Sequence, residues 1–217
     1  MSSKKRSLEI EHLVGQFYSP SGGLEAAAPG EVAPGEMVAG DQRGLLESEL
    51  GRFEALASLP PPYDRLLDHH KHMTVTVEAF YEQAVDVVVN RTRRDANWYA
   101  REITLVTQQD RRIVQYGIVH LNVDQLSEPV WKRIESEATP LGRVLIEHNV
   151  LRQVQLCGLW RVSAGPALVS RMQIPIDQPL YGRTALIYCD GDPAIELLEI
   201  LAPVHRPLSP PLPSADP

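Results

Sequence analysis

Arg101 lies in the stretch WYAREITL. In a strand alternate side chains share a face, so this arginine points the same way as Tyr99, Ile103 and Leu105. A guanidinium taken from water without a partner is costly, whereas one that meets a carboxylate forms a bidentate, charge-assisted pair. Arg101 is therefore a candidate anchor for a ligand carboxylate. Two alternatives stand beside that reading: a register that turns Arg101 outward and Glu102 inward, or a structural acid as its partner. The stretch AIELLEILAP poses the same question for acids, since Glu199 shares a face with Ile195, Leu197 and Leu201 and Glu196 shares the other with Leu198 and Ile200. Periodicity does not choose between them. A carboxyl held in an apolar pocket is harder to ionise and can act as a general acid near neutral pH. The plainer reading is a solvated or ion-paired glutamate at a sheet edge. Arg183, in phase with Tyr181, Ala185 and Ile187, is either a further pocket cation or the structural partner of a strand glutamate.

Other residues with chemical potential carry less. His69, His70 and His72 in DHHKH cannot share one helical face and have no cysteine or acidic cluster at ligand spacing, so they read as a solvated cluster and no metal is expected. The sequence has no glycine-rich phosphate loop and no GxSxG elbow. Trp98, Trp131 and Trp160 read as core or pocket-wall residues. Cys157 and Cys189 lack CxxC spacing and read as reduced core thiols.

These residues need elements to position them. Strands are expected at Ala84 to Thr92, Trp98 to Thr107, Arg112 to Val123, Gln153 to Val162, Tyr181 to Cys189 and Ala194 to Leu201, each rich in β-branched or aromatic residues. Short turns at Gln108–Asp110 and Asp190–Asp192 suit hairpins. LLESELGRFEALASL reads as a helix ended by the prolines 60–62, and Tyr63 to Gln83 as a second helix with one apolar face. The expected fold class is α+β: one mostly antiparallel sheet with helices packed on one side. Residues 1–44 read as a flexible extension with a Gly/Pro-rich linker, although Ser7 to Phe17 has the spacing of a short amphipathic helix. The folded domain is expected over 45–204 and a proline-rich disordered tail over 205–217.

Composition narrows the class. The chain has 217 residues, enough for one sizeable core, with 43% hydrophobic and 23% charged residues. A net charge of -7 argues against binding nucleic acid along its phosphates. Without an apolar run long enough to span a bilayer and without the apolar stretch of a signal peptide at the start, a cytoplasmic protein with no membrane span is expected.

Four segments together carry a resemblance: HMTVTVEAF around Met73, REITL with Arg101, ATPLGRVL with Leu141, and GDPAIELLEIL with Glu199. In order and spacing they resemble the chorismate pyruvate-lyase family, over about Tyr63 to Pro203. The resemblance implies a single antiparallel sheet enclosing a buried product site, in which Arg101 binds the ring carboxylate and the backbone near Met73 and Leu141 completes the cage. Counting from the hairpin glycine and proline to the family's acid selects Glu199 over Glu196. The implied activity is elimination of pyruvate from chorismate to give 4-hydroxybenzoate, without metal or organic cofactor, with Arg101 as anchor, Arg183 balancing a second anionic charge and protonated Glu199 as general acid. The alternative is a non-catalytic protein of the same fold that binds a small aromatic acid, as effector-binding domains of bacterial regulators do, or a lyase acting on another enolpyruvyl precursor.

Overall fold

Eight strands form one sheet in the order β1-β2-β6-β7-β8-β5-β4-β3, every neighbouring pair antiparallel. The computed structural model describes residues 9–18, 45–150, 152–176 and 178–204. The expected linker and the proline-rich tail lie outside these residues. The strands are β1 Leu45–Ser48, β2 Gly51–Leu56, β3 Val85–Asp95, β4 Trp98–Thr107, β5 Ile113–Asn122, β6 Arg152–Ala164, β7 Pro179–Cys189 and β8 Asp192–Leu201. The helices are α1 Ile10–Val14, α2 Tyr63–Leu67, α3 Met73–Tyr81, α4 Glu128–Glu135, α5 Leu141–Glu147 and α6 Pro166–Met172.

The α+β class and the single antiparallel sheet agree with the sequence reading, and all six expected strands are present. Both expected hairpin turns form; Asp190 and Gly191 adopt φ of 51° and 99°, the left-handed conformations such a turn demands. Helices α2 to α5 cover one face of the sheet through two apolar clusters, one centred on Val144, Leu145, Leu121 and Ile195, the other on Leu67, Met73, Val77 and Leu105. The opposite face carries a third cluster, where Leu13, Val14, Leu168 and Met172 from the short helices α1 and α6 meet Tyr116, Ile118, Leu198 and Ile200. With both faces covered, β4, β5 and β8 are buried along almost their whole length. This is why apolar residues fall at successive positions in them, as at Ile118–Val119 and Leu197–Leu198.

Two elements depart from the sequence reading. Residues 45–56 form the β1–β2 hairpin rather than a helix, with β2 pairing to β6 at one margin of the sheet. Gly51, at φ 147°, makes this possible: a Cβ there would lie 2.4 Å from the Ser163 carbonyl oxygen. Helical propensity was overridden by a neighbouring strand that needed its hydrogen bonds satisfied. The second difference is the N-terminal segment, which the sequence reading set ahead of the folded domain. Ile10, Leu13 and Val14 are buried in the core beneath the sheet, and Tyr18 is tied to it by a side-chain hydrogen bond to Glu102.

Candidate ligand site

Between the sheet and the N-terminal ends of α3 and α5 lies a cavity of about 40 Å³. Its floor comes from β4 (Arg101, Ile103, Leu105), β5 (Gln115, Gly117, Val119) and β8 (Leu197, Glu199). Its roof is built by His72–Thr74 and Pro140–Gly142. Strand pairing explains why these residues meet. Ile103 is opposite Gly117 and Gly117 opposite Glu199, so the three strands present one continuous strip. A Cβ on Gly117 would press on Ile103 Cγ1 at 3.4 Å and the Leu198 carbonyl oxygen at 3.3 Å, so glycine leaves space in mid-strand for something else to approach.

Four residues selected from sequence, Arg101, Glu199, Met73 and Leu141, line this one cavity. Glu196 points to the other face of the sheet, where it meets His120. The structure adds Gln115, Thr74 and Gly117, which sequence reasoning missed: Gln115 stood in a strand without a charge to draw notice, and a strand glycine becomes informative only when its neighbours are known.

Arg101 and Glu199 face the same cavity yet are not each other's partner. Arg101 is completely buried, and its Nε and Nη1 have no hydrogen-bond partner among the described residues. Among the described residues no salt bridge joins it to an acid. Burial pushes the guanidinium below its ordinary pKa, a shift partly offset by Tyr99 and Glu137 nearby. Gln115 Oε1, also in the cavity wall, is a second buried polar atom without a partner. The cavity thus holds both an unpaired donor set and an unpaired acceptor.

Arg183 is the partner of Glu199, donating from Nε to Oε2 over 2.7 Å. Its other nitrogens are engaged as well. Nη1 donates to the carbonyl oxygens of Leu67 (3.3 Å) and His69 (2.9 Å) and meets His69 Nδ1 at 3.2 Å, while Nη2 donates to the Lys71 carbonyl at 3.0 Å. This wrapping explains why the expected long helix 63–83 divides into α2 and α3: the chain between them turns its carbonyls toward a buried cation instead of up a helix ladder. The DHHKH segment is therefore a clasp on Arg183 rather than a solvated cluster. Burial, with the Arg183 charge second, lowers the His69 pKa, in keeping with a neutral ring that offers Nδ1 as an acceptor.

Three readings from the sequence are corrected by this geometry. Arg183 does not line the cavity and has no nitrogen left to balance a second ligand charge. Glu199 does not stand alone in an apolar pocket, because Arg183 Nε holds its Oε2 at 2.7 Å. Arg101, read as an anchor in one pocket with Glu199, lines the cavity beside it, but Glu199 takes its ion-pair partner from Arg183.

No protein-family model matches the chain, and no curated protein matches it. Among solved structures the fold is similar to the effector domain of PhnF from Mycobacterium smegmatis, at 12% identity over 60% of this chain and 87% of that chain, with a TM-score of 0.45. It is also similar to the ligand-binding domain of a protein placed among the GntR-family transcriptional regulators of Bordetella bronchiseptica (14% identity, 56% and 87% covered, TM-score 0.42). A third is the C-terminal domain of the histidine utilization repressor from Pseudomonas syringae (9% identity, 58% and 99% covered, TM-score 0.38). They are, respectively, an effector domain, a ligand-binding domain and a domain of a repressor. The expectation of a chorismate-cleaving lyase is not borne out: these neighbours are effector, ligand-binding and repressor domains. No helix among the described residues is long and apolar enough to cross a membrane.

Proposed function

We propose that this domain binds a small organic acid without converting it, with Arg101 as the carboxylate anchor. The observation that carries the reading is the fully buried Arg101 guanidinium at the wall of a cavity, whose Nε and Nη1 have no partner among the described residues. A carboxylate is the natural complement, because it accepts two parallel N–H bonds and neutralises a charge that burial disfavours. The unpaired Gln115 oxygen and the Glu199 carboxylate are acceptors on the same wall, which suits a ligand bearing a hydroxyl or amino group away from its carboxylate. Met73, Leu141, Ile103, Val119 and Leu197 supply apolar walls for the part between, as an aromatic ring would need.

Size sets a further condition. About 40 Å³ accommodates a few water molecules, and typical ligand pockets are roughly 300 Å³ or more. A ring-sized acid therefore enters as the roof, His72–Thr74 and Pro140–Gly142, moves away from the sheet. That coupling of occupancy to helix position is what an effector domain requires, and the similarity to effector and ligand-binding domains is consistent with it.

Calorimetric titration with acetate, benzoate and 4-hydroxybenzoate, set against phenol, tests the proposal. Binding of at least one acid, none of phenol, and loss in Arg101→Met are expected. Equal binding of acid and phenol, undiminished affinity in Arg101→Met, or no acid bound would overturn it.

A further inference from the structure

On the opposite face of the sheet, away from the cavity, three side chains from distant parts of the chain converge. His120 on β5 and Glu196 on β8 are directly opposite each other in the strand register. His120 Nδ1 lies 2.9 Å from Glu196 Oε2. His12 on α1 brings its Nε2 to 3.6 Å from the same oxygen. One ligand atom from each of the three residues lies within 4.8 Å of the others.

We propose that His12, His120 and Glu196 form a divalent-metal site, with zinc the metal its donors suit best. Two imidazole nitrogens and one carboxylate oxygen are a zinc-type set, and the same set also suits iron(II). Ligands at the usual 2.0–2.2 Å from zinc stand roughly 3.3–3.5 Å from one another in a tetrahedron. The observed separations bracket that value, so shifts of well under a side-chain length bring all three onto one ion.

The surroundings favour the same assignment. His120 is buried and its ring is stacked on Trp98, with centroids 4.4 Å apart and planes 8° from parallel, which fixes the ring. His12 meets His120 edge-on at 4.9 Å, so both rings present nitrogens toward the carboxylate rather than stacking with each other. A cavity of about 370 Å³ adjoins the three side chains, leaving room for a water or small ligand as fourth donor. Its wall carries Asp95, which adds negative charge, and Arg93, which opposes it. Because His12 belongs to the N-terminal segment and the other two residues to central strands, a bound ion would pin α1 to the sheet.

The test uses the untagged full chain, stripped of metal, titrated with Zn²⁺ and with Co²⁺ near neutral pH. One equivalent of Zn²⁺ should bind, Co²⁺ should show the intense visible absorption of four-coordinate cobalt, and the melting temperature should rise with either ion. His12→Ala changes a half-exposed side chain and leaves the core intact, so it should fold normally, as circular dichroism will report, and lose the site. The control variant His148→Ala, at an exposed histidine outside both sites, should retain it. No Zn²⁺ or Co²⁺ binding, binding undiminished in His12→Ala, or loss in His148→Ala would each overturn the assignment.

Discussion

Arg101 and Glu102 are adjacent in sequence, both fully buried, and face opposite sides of the same strand. Their surroundings differ sharply. Glu102 accepts hydrogen bonds from Tyr18, from Tyr116 at 2.9 Å and from Arg91 Nε at 2.8 Å, and Arg171 Nε lies 3.2 Å away. Arg101 has two nitrogens with nothing to donate to. A buried charge with every bond satisfied is structure. A buried charge left open beside a cavity costs the folded state, and a ligand that completes it recovers that cost as affinity. The contrast supports the proposal that the Arg101 face is the one that binds a ligand more directly than burial or charge alone.

Truncating each residue should therefore move stability in opposite directions. Glu102→Ala leaves Arg91, Arg171 and two tyrosines facing an empty site, and should cost about 3–5 kcal/mol in urea unfolding. A cost below about 1 kcal/mol would show that these groups rehydrate freely and that the network is not what closes this face.

Acid should reproduce part of that loss. Burial by itself would raise the Glu102 pKa, but the hydrogen bonds from Arg91, Tyr18 and Tyr116 outweigh it and the net shift is downward. The folded state thus holds the ionised form more strongly than the unfolded one. That contribution is complete above the ordinary glutamate value of 4.5 and is lost as pH falls through the lower folded value. Stability of the native chain relative to Glu102→Gln should decline below about pH 4.5 and be flat above it, measured by urea unfolding at several pH values.

Arg101→Met should do the reverse of Glu102→Ala. The depressed pKa of Arg101 means that the fold disfavours its charge, so replacing it with an apolar side chain of similar length should leave the unliganded protein as stable or about 1 kcal/mol more stable. Destabilisation by more than about 1 kcal/mol would mean that Arg101 has a structural partner and is not waiting for a ligand. The smallest effect expected is that of Tyr18→Phe, which removes one of several bonds to Glu102 and should cost about 1 kcal/mol. Because Tyr18 fastens the N-terminal segment, the same change should raise hydrogen exchange in residues 10–14 first.

Much of the scaffold was legible before the structure. Period-two runs and β-branched residues located β3 to β8, since those features report backbone preference and burial, both local quantities. Met73, Arg101, Leu141 and Glu199, selected by their family-like spacing, also line one cavity. Local pattern failed where a distant partner decided the outcome. Residues 45–56 became a hairpin because β6 offered an open ladder, and DHHKH interrupted a helix because Arg183 needed its carbonyls.

The partnership of charges was beyond the sequence altogether. Strand parity permitted Arg101, Arg183 and Glu199 to lie on one face without requiring it, and the register across strands places all three there. Which cation takes the acid depends on register across strands: Arg183 is directly opposite Glu199 on the neighbouring strand β7, whereas Arg101 on β4 is separated from β8 by β5. His12, His120 and Glu196 were no motif in the sequence for the same reason, being far apart along the chain and brought together by the pairing of β5 with β8 and the seating of α1 on the sheet. Residue types and alternation determine which side chains are buried. Only the tertiary structure decides which of them find partners, because hydrogen bonds and ion pairs depend on distances of a few ångströms between segments that the sequence does not order relative to one another.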